Sequence, residues 1–304
     1  MNAGVGTLVA VTGFNFRIYS VEEARAEFLQ GFTDALVLNH VNADTNNHRC
    51  MLQANRVSQI TVLSEPALSA IPGLVHGFST RRAEHNAFTL GPSNSENPAI
   101  PINRSRFLDA VGMTGWPILK LKQTHSNIVH DFKDTWAASQ PVEGDAAITA
   151  LRGAALGIQT ADCVPILIAD KNARVVAAVH AGWRGTANRI VENSVRQMIQ
   201  AYGVTPESLT AVIGPHNAVC CYEVGEEVVA AVNDSAAIER TPQWPKPHLN
   251  QALANKRQLL GLGIPEAQIL VSTLCTQCRA DLFYSYRRDG ERSGRMLSVI
   301  GILP

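Results

Sequence analysis

A chain of 304 residues with 46% hydrophobic side chains is long enough for one large domain or two ordinary ones around a buried core. Its 26 Lys and Arg balance 26 Asp and Glu, so no whole-chain field draws it to nucleic acid or to an anionic membrane, and a small-molecule partner fits better. Six cysteines are too sparse to staple a fold of this length with disulfides, which points to a reducing cytoplasm.

The first residues lack a basic segment, so no signal peptide is expected. No apolar stretch reaches the roughly 18 to 20 residues that a bilayer requires. Ser20-Val21-Glu22-Glu23 reads as a capping box opening a helix through Phe28 and Leu29. The stretch Asn42 to His48 reads as a polar loop, in which His48, with nearby His40 and Cys50, is more readily solvated than metal-bound. Pro66 and Pro72 then break the pattern. Residues 1–70 are therefore expected to form an N-terminal extension and 71–304 one main domain.

From Val75 onward, short β-branched runs alternate with amphipathic helices. The runs predict strands at Val75 to Ser79, Ile118 to Lys122, Ala146 to Ala150, Val164 to Ala169, Arg174 to Val179, Leu209 to Ile213, Ile269 to Ser272 and Met296 to Ile302. Ile190, Val191, Ser194, Val195, Met198, Ile199 and Tyr202 recur at helical spacing up to Gly203, and Val224 to Val232 and Leu249 to Leu262 read as two more helices. Some strands follow one another too closely for a helical crossover. The expected class is α/β (α+β), with mixed sheets flanked by helices.

Three segments carry chemistry. Lys122-Gln123-Thr124-His125, Thr160-Ala161-Asp162-Cys163-Val164-Pro165 and Val179-His180-Ala181-Gly182-Trp183-Arg184-Gly185 each put one metal-ligating side chain at a strand terminus. One thiolate and two imidazoles, if they converge, make a zinc site with a free fourth position, the pattern of a catalytic rather than a structural zinc. Each residue alone is more often a packed or exposed side chain than a ligand. Cys275-Thr276-Gln277-Cys278 has the spacing of half a zinc knuckle, but adjacent Cys220-Cys221 fits the other half poorly, so a structural zinc is not expected there.

The segments Lys122 to Ser126, Gly144-Asp145-Ala146, Thr160 to Pro165, His180 to Gly185, Cys220 to Gly225, Cys275-Thr276 and Phe283 to Arg288 occur in the order found in one family. From about Val75 to Pro304 the chain resembles the multicopper polyphenol oxidoreductase, or laccase-domain, family, which includes the peptidoglycan editing factor and purine nucleoside phosphorylases. The resemblance implies a cysteine-hydrolase-like fold and a single zinc on His125, Cys163 and His180. It implies phosphorolysis of adenosine, inosine, guanosine or methylthioadenosine, with adenosine deamination as a companion activity, in a cytoplasmic monomer or small homo-oligomer. Its partners would be a purine nucleoside and phosphate, with no nucleic acid and no membrane.

The residue types suit these reactions. A zinc with an open position acidifies bound water, which deamination needs, while phosphorolysis needs an anion held beneath the sugar. Arg81 and Arg184 can present a guanidinium fork to phosphate, although Arg184 serves a structural ion pair equally well. Asp145 and Asp162 are substrate-site candidates or carboxylates that fix the histidine tautomers. Three other readings compete: a metal-free amidase or peptidoglycan-editing hydrolase with Cys163 as nucleophile and His180 as base, a catalytically idle metal-binding protein, and a copper-dependent phenol oxidase, for which the segments hold too few histidines. The chain departs from the family between Arg82 and Thr89, where the usual glycines and an asparagine are missing, and at Gly214-Pro215-His216, which adds a histidine beside the expected pocket.

Overall fold

A computed structural model describes residues 8–12, 15–19, 52–83, 88–92 and 96–304. The expected capping box at Ser20, the polar loop from Asn42 to His48, and His40 and Cys50 lie outside the described residues. Two compact units are distinguished, Met1–His40 and Val41–Pro304. The described part of the first is an antiparallel hairpin of β1 (Leu8–Thr12) and β2 (Asn15–Tyr19).

The second unit opens with β3 (Gln53–Val57), β4 (Ile60–Ser64), α1 (Pro66–Ser69), β5 (Leu74–Ala83), α2 (Ala99–Ala110), β6 (Ile118–Lys122), β7 (Val129–Phe132), β8 (Val142–Glu143), β9 (Ala146–Thr149) and β10 (Ala155–Thr160). It continues with β11 (Val164–Asp170), β12 (Val176–Ala181), α3 (Trp183–Ala187), α4 (Ile190–Tyr202), β13 (Leu209–Ile213), α5 (Glu226–Val232), β14 (Ile238–Glu239) and β15 (His248–Leu249). It closes with α6 (Gln251–Gly261), β16 (Ile269–Val271), α7 (Tyr286–Asp289) and β17 (Met296–Ile302). A seven-stranded sheet runs β3-β4-β5-β17-β10-β6-β8 and a six-stranded sheet runs β16-β13-β11-β12-β9-β7.

Both sheets are mixed, as expected from the strand spacing. β10 pairs antiparallel with β17 and parallel with β6, and β13 pairs antiparallel with β11 and parallel with β16. The sheets meet through β10, β11, β12 and β17. Every residue of β11, β12, β13 and β17 is buried, which is why their sequences read as continuous apolar runs rather than alternating ones. On the outer face of the six-stranded sheet, Ile190, Val191, Val195 and Met198 of α4 pack on Ile166, Ile168, Ala177 and Val179. The helix ends at Gly203 in the left-handed conformation, where a glycine carries no Cβ penalty.

The β11–β12 hairpin is closed by the buried Asp170, whose carboxylate accepts from the amides of Asn172 and Arg174 and from the Arg174 guanidinium. That turn fixes the register Pro165↔His180 and Val164↔Ala181 on which the site depends. β12 begins two residues later than expected, at Val176, and carries on through His180 to Ala181.

Gly214, just past β13, lies where the two sheets approach. A Cβ there would stand 2.4 Å from the Phe78 ring of β5 and 3.0 Å from Pro165 Cγ of β11. Gly214→Ala is therefore expected to destabilise the fold by about 1–3 kcal/mol, the usual cost of overpacking. Urea unfolding with an unchanged midpoint would show that Phe78 moves aside freely.

Candidate metal centre

The three ligand-type segments do converge. After β6, Gln123 pairs its side-chain amide with the backbone of Gln159 in β10, donating to the carbonyl and accepting from the N–H, both at 2.8 Å. The chain then turns through His125, whose φ of 59° is left-handed. What holds that turn is Asp145, fully buried immediately before β9. Its Oδ2 accepts from the Thr124 amide (3.1 Å), the Ser126 amide (2.6 Å) and the Ser126 hydroxyl (2.7 Å), and its Oδ1 from the His125 amide (3.0 Å). The same Oδ1 accepts from His180 Nδ1 at 2.7 Å. That bond fixes a proton on Nδ1, so Nε2 is the nitrogen that a metal would take.

Cys163 stands directly before β11, after a left-handed Asp162 with φ of 95°. The hairpin register brings it opposite Gly182, and a Cβ on Gly182 would lie 2.7 Å from His125 Cδ2 and 3.3 Å from Cys163 Sγ. Since Gly182 has an ordinary negative φ, the glycine is required by space rather than by conformation. His125 Nε2 lies 3.7 Å from Cys163 Sγ, and one ligand atom from each of His125, Cys163 and His180 falls within 4.8 Å of the others. Two ligands of a tetrahedral zinc, with bonds of about 2.3 Å to sulfur and about 2.0 Å to nitrogen, sit about 3.6 Å apart, so the donor set and its spacing fit such an ion.

The charges reinforce the arrangement. Burial alone would raise the Cys163 thiol, but the His180 charge and the hydrogen bonds of both histidines outweigh it and hold its pKa at about 6. Burial alone would lower His180, but the Cys163 thiolate and Asp145 outweigh it and hold that pKa at about 9. Against its own burial, Asp145 is held well below the usual carboxylate range by His180 and Ser126. The centre thus presents a thiolate at neutral pH.

The remaining expected residues are placed differently from one another. Arg184 opens α3 two residues beyond Gly182, exposed, with its guanidinium 4.3 Å over the Trp183 ring and no carboxylate paired to it among the described residues. Trp183 in turn packs on the apolar cluster beneath α5. Arg81 donates to the Ala280 carbonyl and lies 4.6 Å from the Tyr284 ring centroid, with no bond to the triad among the described residues. Asp162 makes no hydrogen bond to the triad among the described residues. Its carboxylate accepts from the Thr276 hydroxyl (2.6 Å), the Ser285 hydroxyl (3.0 Å) and the Arg287 amide (2.6 Å).

Arg295 escapes the sequence reading because its residue type is common and its spacing is uninformative, whereas Arg287 is open there to either substrate binding or surface pairing. Tyr222 and Arg295 both lie within electrostatic reach of Cys163, and Arg287 lies 5.3 Å from the Tyr222 ring centroid. His216, expected beside the pocket, is buried and bonded through Nδ1 to the Gly214 carbonyl, and burial lowers its pKa. Cys220, Cys221, Cys275 and Cys278, not expected to combine, form a second group of mutually close ligand atoms.

The family model described as multi-copper polyphenol oxidoreductase laccase matches residues 75–303. A purine nucleoside phosphorylase of Clostridium acetobutylicum is 38% identical over 233 residues, 74% of this chain and 97% of that protein. An adenosine deaminase from an unknown prokaryotic organism is 38% identical over 191 residues, 59% of this chain and 72% of that one. Among solved structures, YlmD of Geobacillus stearothermophilus superposes with a TM-score of 0.76 at 28% identity, covering 84% of this chain and all of its own. Among the described residues, no helix is long and apolar enough to cross a membrane.

A carboxylate with a depressed pKa adds stability that is complete above its unfolded value of 3.8 and is lost as pH falls toward its folded value. Asp145→Asn removes that dependence. Stability measured by denaturant unfolding between pH about 4 and 2 is expected to fall less steeply in the variant, by up to about 1.4 kcal/mol per pH unit. Equal slopes would show that Asp145 is not held ionised by the bonds described.

Proposed function

The chain belongs to the multi-copper polyphenol oxidoreductase laccase family, and we propose that within it the protein is a zinc-dependent purine nucleoside phosphorylase with a companion adenosine deaminase activity. The observation that carries this reading is the convergence of His125, Cys163 and His180 within 4.8 Å, in a chain related over most of its length to purine nucleoside phosphorylases. Adenosine, inosine, guanosine and methylthioadenosine are the proposed nucleosides.

A zinc ion held by these three side chains would supply a Lewis acid and an acidified water at its open fourth position, the nucleophile deamination requires. The chain's own groups supply the rest. Asp145 keeps the His180 proton on Nδ1 and shapes the His125 turn, so it is a positioning residue. Phosphorolysis needs an anion held beside the sugar and stabilisation of a departing purine. Arg184, exposed and without a paired carboxylate, is assigned to the phosphate, with Arg295 as a second cation near Cys163. Asp162 and Arg81, committed to the 276–287 and 280–284 stretches, are assigned to hold the wall of the site.

One observation favours a second reading. A thiolate at Cys163, with a pKa of about 6 and a histidine 3.7 Å away, is also what a Cys-His amidase needs. The two differ in metal: zinc lost with Cys163→Ala supports the first reading, and a metal-independent reaction blocked by thiol alkylation supports the second. A multicopper oxidase is not favoured, since the described residues hold one His-containing ligand group.

Chromatography of purine nucleosides incubated with and without phosphate tests the proposal. Free base with ribose-1-phosphate is expected only when phosphate is present, and inosine from adenosine in both cases. His125→Ala should reduce both by more than the about 10–100-fold typical of losing an orienting partner alone. Arg184→Ala should raise the KM for phosphate by about 10–100-fold, the loss of a charge-assisted hydrogen bond, while affecting deamination less. Base release that ignores phosphate and survives His125→Ala would sink the assignment.

A further inference from the structure

The exposed rim beside the triad carries a second cluster that the proposed reaction does not use. β13 and β16 are parallel neighbours, with Ile213 opposite Val271, so the chain leaves both strands at the same edge. The two departing loops are joined backbone to backbone: Ser272 donates to Ile213, and Thr276 donates to His216 while His216 donates to Leu274. This brings Cys220 and Cys221 from one loop against Cys275 and Cys278 from the other.

The distances match a four-coordinate site. Cys220 Sγ lies 3.8 Å from Cys221 Sγ and 3.7 Å from Cys278 Sγ, and Cys221 Sγ lies 3.3 Å from Cys278 Sγ. All four sulfurs are within 4.8 Å of one another. Sulfurs around a tetrahedral zinc with bonds of about 2.3 Å are about 3.8 Å apart, whereas a disulfide holds them at about 2.05 Å. The surroundings hold the cluster together as well. Cys275 is buried, with its Sγ 3.8 Å from the Asn217 side-chain oxygen of the other loop. Arg288, itself paired with Asp289, donates to the carbonyls of Thr276 and Gln277 and so fixes the turn between Cys275 and Cys278.

We propose that Cys220, Cys221, Cys275 and Cys278 form a second metal site, a closed tetrathiolate that takes one Zn²⁺ and serves structure rather than reaction. With four protein ligands it leaves no position for substrate or water. Its role is to staple the two loops that border the triad. Tyr222 follows Cys221 directly, and the Thr276 hydroxyl, inside the knuckle, bonds Asp162 one residue before Cys163.

Elemental analysis of the purified full chain tests this independently of any activity. Wild type is expected to hold about two zinc per chain, and both Cys163→Ala and the pair Cys275→Ser with Cys278→Ser to hold about one, a twofold fall in each case. Cobalt substituted into Cys163→Ala should show the thiolate charge-transfer band of a four-sulfur site. If the paired variant fails to fold, Cys163→Ala still decides, because its four-cysteine cluster is intact. Zinc absent from Cys163→Ala, a wild-type content of one or less that the paired variant leaves unchanged, or a Cys221–Cys278 disulfide in protein purified under reducing conditions would overturn the site.

Discussion

The site rests on one buried carboxylate. An ionised Asp with no exposure is costly unless its lone pairs are filled, and Asp145 fills them with five donors from two separate stretches of chain. Three backbone amides in succession, at Thr124, Ser126 and the intervening His125, can point at one carboxylate only if the chain curls around it. The left-handed His125 is that curl, a conformation costing on the order of 1 kcal/mol that the hydrogen bonds offset. The fifth donor is the imidazole of His180, on a strand paired to the one that Asp145 introduces, and the His180 amide also donates to the Asp145 carbonyl. One side chain therefore sets the ring of His180 and the backbone of His125 together. Cys163 needs no such carboxylate, because the hairpin register alone brings it opposite Gly182.

How much of this was legible in the sequence follows from where the information lies. β6, β13 and β17 begin and end where their apolar runs do, and α4 runs from Ile190 to the Gly203 cap, since local pattern and burial agree there. β10 was missed because Gly157 and Gln159 interrupt its pattern. Gly157 leaves space filled by Ile118, and the backbone of Gln159 is bonded by the side chain of Gln123, a partner 36 residues away. α2 was missed because Pro101 falls within its first turn and its apolar positions make no clear stripe. The triad could be read because each ligand sits in a distinctive segment. The four cysteines could not, because adjacency in sequence says nothing about two loops that meet only when β13 and β16 pair in parallel. His216 is buried, its ring bonded to the carbonyl of Gly214 two residues earlier.

Both non-glycine residues of the site with positive φ, His125 and Asp162, stand at or next to a ligand, and each is held by carboxylate bonds. In the first case the carboxylate is Asp145, reaching in from outside the turn. In the second it is the strained residue's own side chain, which reaches to Thr276, Ser285 and the Arg287 amide. The difference has a mechanical consequence. The bonds of Asp162 tie the 276–287 stretch to the residue beside Cys163, whereas among the described residues no hydrogen bond joins His125 or His180 to that stretch. The thiolate is thus the one ligand coupled to the loops that carry the cysteine cluster.

The departure from the family pattern between Arg82 and Thr89 has a related physical meaning. Residues 84–87 lie outside the described structure, but both flanks are tied to the same wall of the site. On one side, Arg82 donates to the Asp281 carbonyl and pairs with its carboxylate, while the Arg81 amide donates to Leu282. On the other, Thr89 accepts the Arg295 amide on its hydroxyl and donates that hydroxyl to the Gly91 carbonyl, while Asn103 holds its carbonyl. A threonine at 89 supplies a hydroxyl that does both jobs in little space, and Gly294 makes room for it, since a Cβ there would stand 2.7 Å from that oxygen. Arg82 and Thr89 therefore anchor the two flanks of this segment, one to Asp281 and the other to Arg295. Arg295, whose amide Thr89 accepts, also lies within electrostatic reach of Cys163.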